Sequence, residues 1–405
     1  MPTALTLLDV LLIGAAALLS LPVLVLSVEI FSACGARWLR SATSPSLPDP
    51  ARRPSVAVLV PAHNEVDGIA ATIQSIRAQL VEGDRCVVIA DNCTDETARV
   101  AGAAGASVVE RADAARRGKG FALDYGVRHL AAEPPEVVVV IDADCTLGPN
   151  AIDLLARRCV ETARPVQGSN VMRSPPGAPL KTRIAEFAFV IRTVRARGCF
   201  HLGLPCQLTG TGMAFPWPLI RDASLASAHI VEDLRLGLEL AADGSPPTLC
   251  PGATVMSVFP LGAAAFLSQR VRWEQGHFGV IAELGPRLLW QAIRRGQLPL
   301  AAMVADLCVP PVAALVLAHC AVLALSALVA FTSGWIAPLV LAASSLLLLL
   351  ISVAAAWSGF ARHVVTFREL ATAPVYVAGK LPMYVRMMFK KQTEWVRTDR
   401  KGDVP

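Results

Sequence analysis

From Leu307 to Phe360 the chain carries no Asp, Glu, Lys or Arg. A second uncharged stretch, rich in Leu, Val and Ala, lies between Asp9 and Glu29. Crossing hydrocarbon takes about 20 apolar residues, and both stretches reach that length. Thr332-Ser333-Gly334 breaks the longer one, so three spans are expected, at 6–30, 307–331 and 335–357. Pro310 and Pro311 then fall in the first turn of the second span, where a missing N–H costs little. A hairpin buried in a protein core is the alternative for the last two. The first stretch lacks the basic flank of a cleaved leader, since Arg37 is the first basic residue, and it reads as a retained helix. Of the 405 residues 54% are hydrophobic and 17% charged, against about 25% charged in soluble domains. The chain is too apolar for a freely soluble enzyme and too polar to be membrane helices throughout.

Basic residues flank these stretches on one side only. Arg37, Arg40, Arg52 and Arg53 follow the first, Arg287, Arg294 and Arg295 precede the second, and Arg362 and Arg368 follow the third. The positive-inside rule therefore puts the N-terminus outside a bacterial-type inner membrane, with residues 37–305 and the C-terminus in the cytosol. The net charge of +5 comes without a Lys/Arg run or a basic–aromatic stripe, which argues against a nucleic-acid partner. None of the ten cysteines forms a CxxC pair, so neither a zinc site nor a disulfide framework is expected.

Residues 41–54, rich in Ser and Pro, read as a linker. Beyond it, short β-branched runs alternate with helical patterns. Val56–Val60, Cys86–Ala90, Ser107–Val109 and Val137–Ile141 are expected strands, buried on both faces. Helices are expected at 66–80, 94–104 and 118–131. Such alternation predicts a mostly parallel α/β sheet with helices on both faces, whose ligands bind beyond the carboxyl ends of the strands. Acids stand at three of those ends: Glu65 in Pro61-Ala62-His63-Asn64-Glu65, Asp91 in Asp91-Asn92-Cys93-Thr94-Asp95, and Asp142 and Asp144 around Ala143. Asp91 and Asn92 could instead cap a helix. Two carboxylates at i and i+2 repel unless a cation lies between them, and paired oxygen ligands suit Mg²⁺ or Mn²⁺; a surface turn is the plain alternative. Arg116-Arg117-Gly118-Lys119-Gly120 opens a helix and suits a phosphate, or is a solvated basic turn. Leu208-Thr209-Gly210-Thr211-Gly212-Met213 allows close backbone approach. Glu232-Asp233 precedes the helical stretch Leu234–Leu240. In Gln269-Arg270-Val271-Arg272-Trp273 a diphosphate-binding guanidinium stands beside an aromatic face, although Trp273 could also anchor at a membrane interface.

Taken in order, PAHNE, DNCTD, RRGKG, DAD, TGTGM, ED and QRVRW make residues 55–277 resemble the membrane-bound family 2 glycosyltransferases of the cellulose synthase and poly-N-acetylglucosamine synthase type. The resemblance implies a GT-A fold and inverting transfer of a sugar from a nucleotide-diphosphate sugar, with UDP as the expected nucleotide. By motif, Pro61, His63 and Glu65 line the nucleoside pocket, Asp91 contacts the base or ribose, and Lys119 lies near the diphosphate. Asp142 contacts the nucleotide-sugar, and Asp144 ligates Mg²⁺ or Mn²⁺. Asp233 is the general base. Glu232, Gln269 and Trp273 face the acceptor, and Arg272 holds the diphosphate. Val231 departs from the Thr common before ED, and Thr209–Met213 replaces an FFCGS-like loop. Three spans are few for a self-contained polymer channel. These departures favour a single transfer to a lipid-linked or growing glycan over processive synthesis; a non-catalytic subunit of an export complex is a third reading. Polysaccharide-assembly partners or a homo-oligomer could complete a channel.

The expected segments are a transmembrane helix (1–36), a linker (37–54), a cytosolic GT-A domain (55–295), a transmembrane hairpin (296–360) and a cytosolic or interfacial tail (361–405). Within 173–197, Leu180, Ile184, Phe187, Ile191 and Val194 recur at helical spacing among Arg173, Lys181, Arg183, Arg192, Arg195 and Arg197. This predicts an amphipathic helix on the membrane lipids, or one packed on the protein core. Residues 374–391 read similarly.

Overall fold

A computed structural model describes residues 2–39 and 53–389. Arg40, Arg52, most of the expected linker, and Lys390 and Lys391 of the expected second amphipathic stretch lie outside the described residues. The described chain divides into two compact units. One comprises 53–177 and 203–303, the other 2–39, 178–202 and 304–389.

The first unit is built on an eight-stranded sheet. Its strands are β1 (Val56–Ala62), β2 (Arg85–Asp91), β3 (Ser107–Arg111), β4 (Val137–Val140), β5 (Thr146–Leu147), β6 (Val166–Arg173), β7 (Met213–Pro216) and β8 (Thr248–Val258). They lie in the order β3-β2-β1-β4-β7-β6-β8-β5. The first four are parallel, and β7 runs antiparallel to β4. Because side chains alternate across a strand, β1 feeds two cores at once. Val56, Val58 and Val60 join Ile69, Ile73, Ile76, Ile152 and Leu155 on one face. Ala57 and Leu59 join Leu123, Val127, Phe215 and Leu236 on the other. Burial on both faces explains why the strands read as continuous apolar runs. The crossover helices Ile69–Arg77, Thr97–Ala103 and Lys119–Leu130 are shorter than their patterns suggested. Asp95, not Asp91, bonds the backbone N–H at the start of the second, at 3.0 Å to Thr97.

Strand order places the site. The chain winds outward from β1 through β2 to β3, then returns to lay β4 on the other side of β1. The β1/β4 boundary is therefore a topological switch point, where such sheets bind ligands. Antiparallel β7 starts beside the end of β4, pairing Met213 with Val140. The Thr209–Gly212 loop is thereby delivered to the carboxyl end of β4, with Gly212 N–H donating to Val140 O at 2.9 Å.

The second unit is helical. Leu7–Trp38, Val312–Ser333 and Ala337–Ala361 are each long and apolar enough to cross a membrane. The second starts five residues later than expected: Leu298–Leu307 is a separate helix, and Pro311 precedes the span as its cap instead of lying in its first turn. The helix Leu180–His201 buries Ile184, Phe187, Ile191 and Val194 with Val23, Leu26 and Ile30 of the first span. Its apolar face is thus packed on protein. Gly198 permits this, since a Cβ there would fall 1.8 Å from Glu29 O. Polar atoms within the bundle pair: Ser352 Oγ donates to Ser27 Oγ at 2.8 Å, and His319 bonds Ser345 Oγ at 2.9 Å and Leu315 O at 2.8 Å. His319 is a satisfied structural residue, as such partners are the usual fate of polar groups between membrane helices. All ten cysteines are free thiols.

Candidate active site

Four segments converge beyond β4. Lys119 opens the helix Lys119–Leu130 behind Gly118. Its Nζ bonds Asp142 Oδ1, donates to Gly210 O at 2.6 Å and lies 3.9 Å from Glu232 Oε1. Asp142 is fixed from behind by its own N–H, which donates to Thr211 Oγ1 at 3.0 Å. Glu232 and Asp233 occupy the first turn of the helix Glu232–Ala242; sequence had placed them just before it. The dipole of a helix N-terminus favours such acids. Gly210 has φ +87°, and a Cβ on it would lie 3.3 Å from Asp233 Oδ2, 3.5 Å from Lys119 Nζ and 3.9 Å from Asp142 Oδ2. One point in space is therefore ringed by two carboxylates and an ammonium, and only glycine leaves it open. Gly120 serves close packing, since a Cβ would fall 2.5 Å from Leu225 O.

The charges are unequal in number. Burial works against the Lys119 ammonium, yet Asp142, Glu232 and Asp233 outweigh it and hold the group above its ordinary range. Burial pushes Glu232 up to about 7 against the pull of Lys119. Burial also raises Asp142, but a third of its side chain, 34%, is accessible, so that push is the weaker of the two. One lysine cannot neutralise this many acids, and the surplus calls for a cation or a proton.

Asp144 supplies the means. Its carboxylate, that of Asp142 and Cys145 Sγ have ligand atoms within 4.8 Å of one another. Cys145 is buried, and burial, then Asp144 and Asp142, raise its thiol well above the usual value. It remains a thiol and a poor ligand. Two carboxylate oxygens then remain, a donor set that fits a hard ion such as Mg²⁺ or Mn²⁺.

A second group forms at the ends of β1 and β2. His63 Nδ1 bonds Asp91 O at 2.7 Å, and the carbonyl acceptor places the proton on Nδ1. Glu65 N–H donates to Thr97 Oγ1 at 2.8 Å. Asn64 and Asn92 adopt φ of 55° and 52°, which Asn tolerates better than most residues. The Asp91 carboxylate is held by Arg111 at 2.5 Å and by Asn92 Nδ2 at 2.9 Å. Pro61 sits within β1, paired with Ile89 of β2. Sequence reasoning missed Arg111, and marked Gly210 only as one of two glycines in a loop that allows close approach. A cation ending the neighbouring strand β3 was the available signal for Arg111; nothing in the sequence singled out Gly210 from its loop.

Gln269, Arg272 and Trp273 share the helix Ala263–Arg295. Their helix is anchored next to the acid–lysine cluster. A Cβ on Gly276 would lie 2.7 Å from Val231 Cγ1, immediately before Glu232. Val231 thus packs against this helix. Gln269 is buried, and its Oε1 has no hydrogen-bond partner among the described residues.

Residues 53–276 match the family described as glycosyltransferase like family 2. That is more than half of the chain, and the protein belongs to this family. It is 34% identical over 215 residues to the 4,4'-diaponeurosporenoate glycosyltransferase of Staphylococcus aureus (strain bovine RF122 / ET3-1), covering 49% of this chain and 54% of that one. The chain thus spans about half the length of this curated relative. It is 37% identical over 195 residues to an uncharacterised glycosyltransferase of Mycobacterium bovis, covering 44% of this chain and 83% of that one. Among solved structures, the mannosyltransferase PcManGT of Pyrobaculum calidifontis, in complex with GDP-Man and Mn²⁺, superposes with a TM-score of 0.50 over 84% of this chain and 98% of its own, at 19% identity. That likeness speaks for the fold, a GT-A-type sheet with accompanying helices.

Proposed function

We propose that the protein is an inverting, membrane-bound transferase that moves a sugar from a UDP-sugar to a lipid-linked or growing glycan. The observation that carries the reading is the point over Gly210, flanked by Asp233, Lys119 and Asp142. In an inverting transfer the acceptor oxygen attacks the anomeric carbon as the bond to the diphosphate breaks, and the diphosphate leaves with the electron pair. Asp233 takes the acceptor hydroxyl's proton, work that a positioned carboxylate can do. Asp142 and Asp144 would hold Mg²⁺ or Mn²⁺, which supplies positive charge beside the leaving diphosphate. Lys119 neutralises Asp142 and orients it toward the donor, and the second group, with Asp91 fixed by Arg111, receives the nucleoside. Arg272 contributes to the diphosphate, while Glu232, Gln269 and Trp273 face the acceptor. The three apolar helices keep the site at a membrane where such acceptors reside, with the catalytic unit on the cytosolic side.

The test uses the full chain in lipid nanodiscs with Mn²⁺, a panel of UDP- and GDP-sugars and a bacterial lipid extract. Release of UDP from one donor, with an inverted product bond and loss of release on chelation, is expected. A single added sugar distinguishes this reading from processive synthesis, which gives a ladder. No release from any donor by folded protein would overturn it in favour of a non-catalytic subunit.

A further inference from the structure

Three elements of the helical unit meet at one end. Ser32 Oγ donates to Gly198 O at 3.3 Å, and Cys34 Sγ lies 3.7 Å from Ala355 O. A Cβ on Gly359 would sit 3.7 Å from Cys34 Sγ. The end of the first span, the last turns of Leu180–His201 and the π-turn Trp357–Ala361 therefore converge. Arg37 and Arg197 stand there. The Arg37 guanidinium lies over the Phe360 ring at 5.4 Å. Arg197 Nε is buried and has no hydrogen-bond partner among the described residues. Two other arginines of the same helix are each ion-paired: Arg183 with Glu369, and Arg195 with Glu29 and Asp306. Among the described residues neither Arg37 nor Arg197 is.

We infer that Arg37 and Arg197 form a binding site for the phosphate of a membrane lipid. A buried guanidinium donor without an acceptor is costly, and it becomes favourable when an anion accepts from it. Burial, then the like charge of Arg37, draw the Arg197 guanidinium below its usual value. Arginine forks match phosphate oxygens in pairs. Arg197 is half-buried with its Nε inside, which leaves its fork to meet an anion at the edge of the protein. The ligand is a lipid because the site lies where two candidate spans, Leu7–Trp38 and Ala337–Ala361, end, at the depth of headgroups. This site is separate from the proposed reaction and stands without it.

Native mass spectrometry of the full chain in a neutral detergent tests it, with phosphatidylglycerol, diacylglycerol and inorganic phosphate as probes. Phosphatidylglycerol should bind, weaken about tenfold in Arg37→Gln, and weaken further in Arg37→Gln/Arg197→Gln, each lost charge-assisted bond being worth about that factor. Arg295→Gln should leave it unchanged, and diacylglycerol should bind all variants alike. Arg37 is exposed, so its truncation opens no core and carries the test even where the double variant fails to fold. Phosphatidylglycerol affinity in Arg37→Gln within twofold of the parent would overturn the inference. So would displacement of the lipid by an equal concentration of inorganic phosphate, which would make this a site for a free anion.

Discussion

Two regions of this molecule surround a cation with carboxylates, and they do opposite things. At the sheet, Lys119 faces Asp142, Glu232 and Asp233. In the helical unit, Arg195 faces Glu29 and Asp306. Arg195 is bonded on two sides. Its Nε bonds Glu29 at 2.6 Å, and one terminal nitrogen bonds both the carboxylate and the carbonyl of Asp306, the latter at 3.0 Å. The Glu29 side chain is only 5% exposed. Such a closed network ties the first span, the helix Leu180–His201 and the segment before the second span into one body. Around Lys119, by contrast, one of the acids is open to solvent and glycine keeps a space between them. Acids outnumber the cation in both places; a closed, well-bonded cluster makes a fastener, while an open space beside an accessible acid makes a site.

That contrast can be broken by substitution. The largest effect is expected from Asp233→Asn, which should lower turnover about a thousandfold with an unchanged melting temperature. Activity within tenfold of the parent would remove Asp233 from the role of base. Arg195→Met should do the reverse. It strands two buried carboxylates and should cost about 3 kcal/mol, read as a lower melting temperature in detergent, whereas Glu29→Gln/Arg195→Met/Asp306→Asn should recover most of that loss. If the triple variant is no more stable than Arg195→Met, stranded charge is not what Arg195 relieves, and the network is not a fastener.

A smaller effect sharpens the description of the open space. Gly210→Ala places a methyl against Asp233 and adopts φ +87°, with a strain of about 1 kcal/mol. Turnover should fall about tenfold, and an unaffected rate would show that nothing reacts at that point.

The smallest effect concerns pH. Glu232 titrates at about 7 in the fold against 4.5 ordinarily, so between those values the folded chain keeps a proton that the unfolded chain has lost. Its contribution to stability is complete below pH 4.5 and is lost as pH rises through 7. Glu232→Gln should therefore flatten the fall in melting temperature between pH 5 and pH 8. An identical slope in both proteins would place the burden on another group.

The chain's own pattern determined a good deal. Apolar runs marked the strands because both sheet faces are buried, and periodicity of two or of 3.6 is written into any sequence whose elements have a fixed inside. Uncharged length marked the three long helices for the same reason. The acids at strand ends were legible because a parallel sheet brings those ends to one side whatever the loops do. Only the tertiary structure decided the rest. Whether Ile184, Phe187, Ile191 and Val194 meet lipid or protein is invisible to periodicity, since both partners are apolar; Gly198, which lets two backbones touch, settled it. Lys119 read as a phosphate ligand, yet it is pinned to Asp142, because an ion pair depends on distances between segments that sequence does not hold. Arg111, Gly210 and the Arg195 network acquire meaning only from residues far away in the chain. Local pattern records what each segment must bury, and folding alone decides which charges are brought face to face.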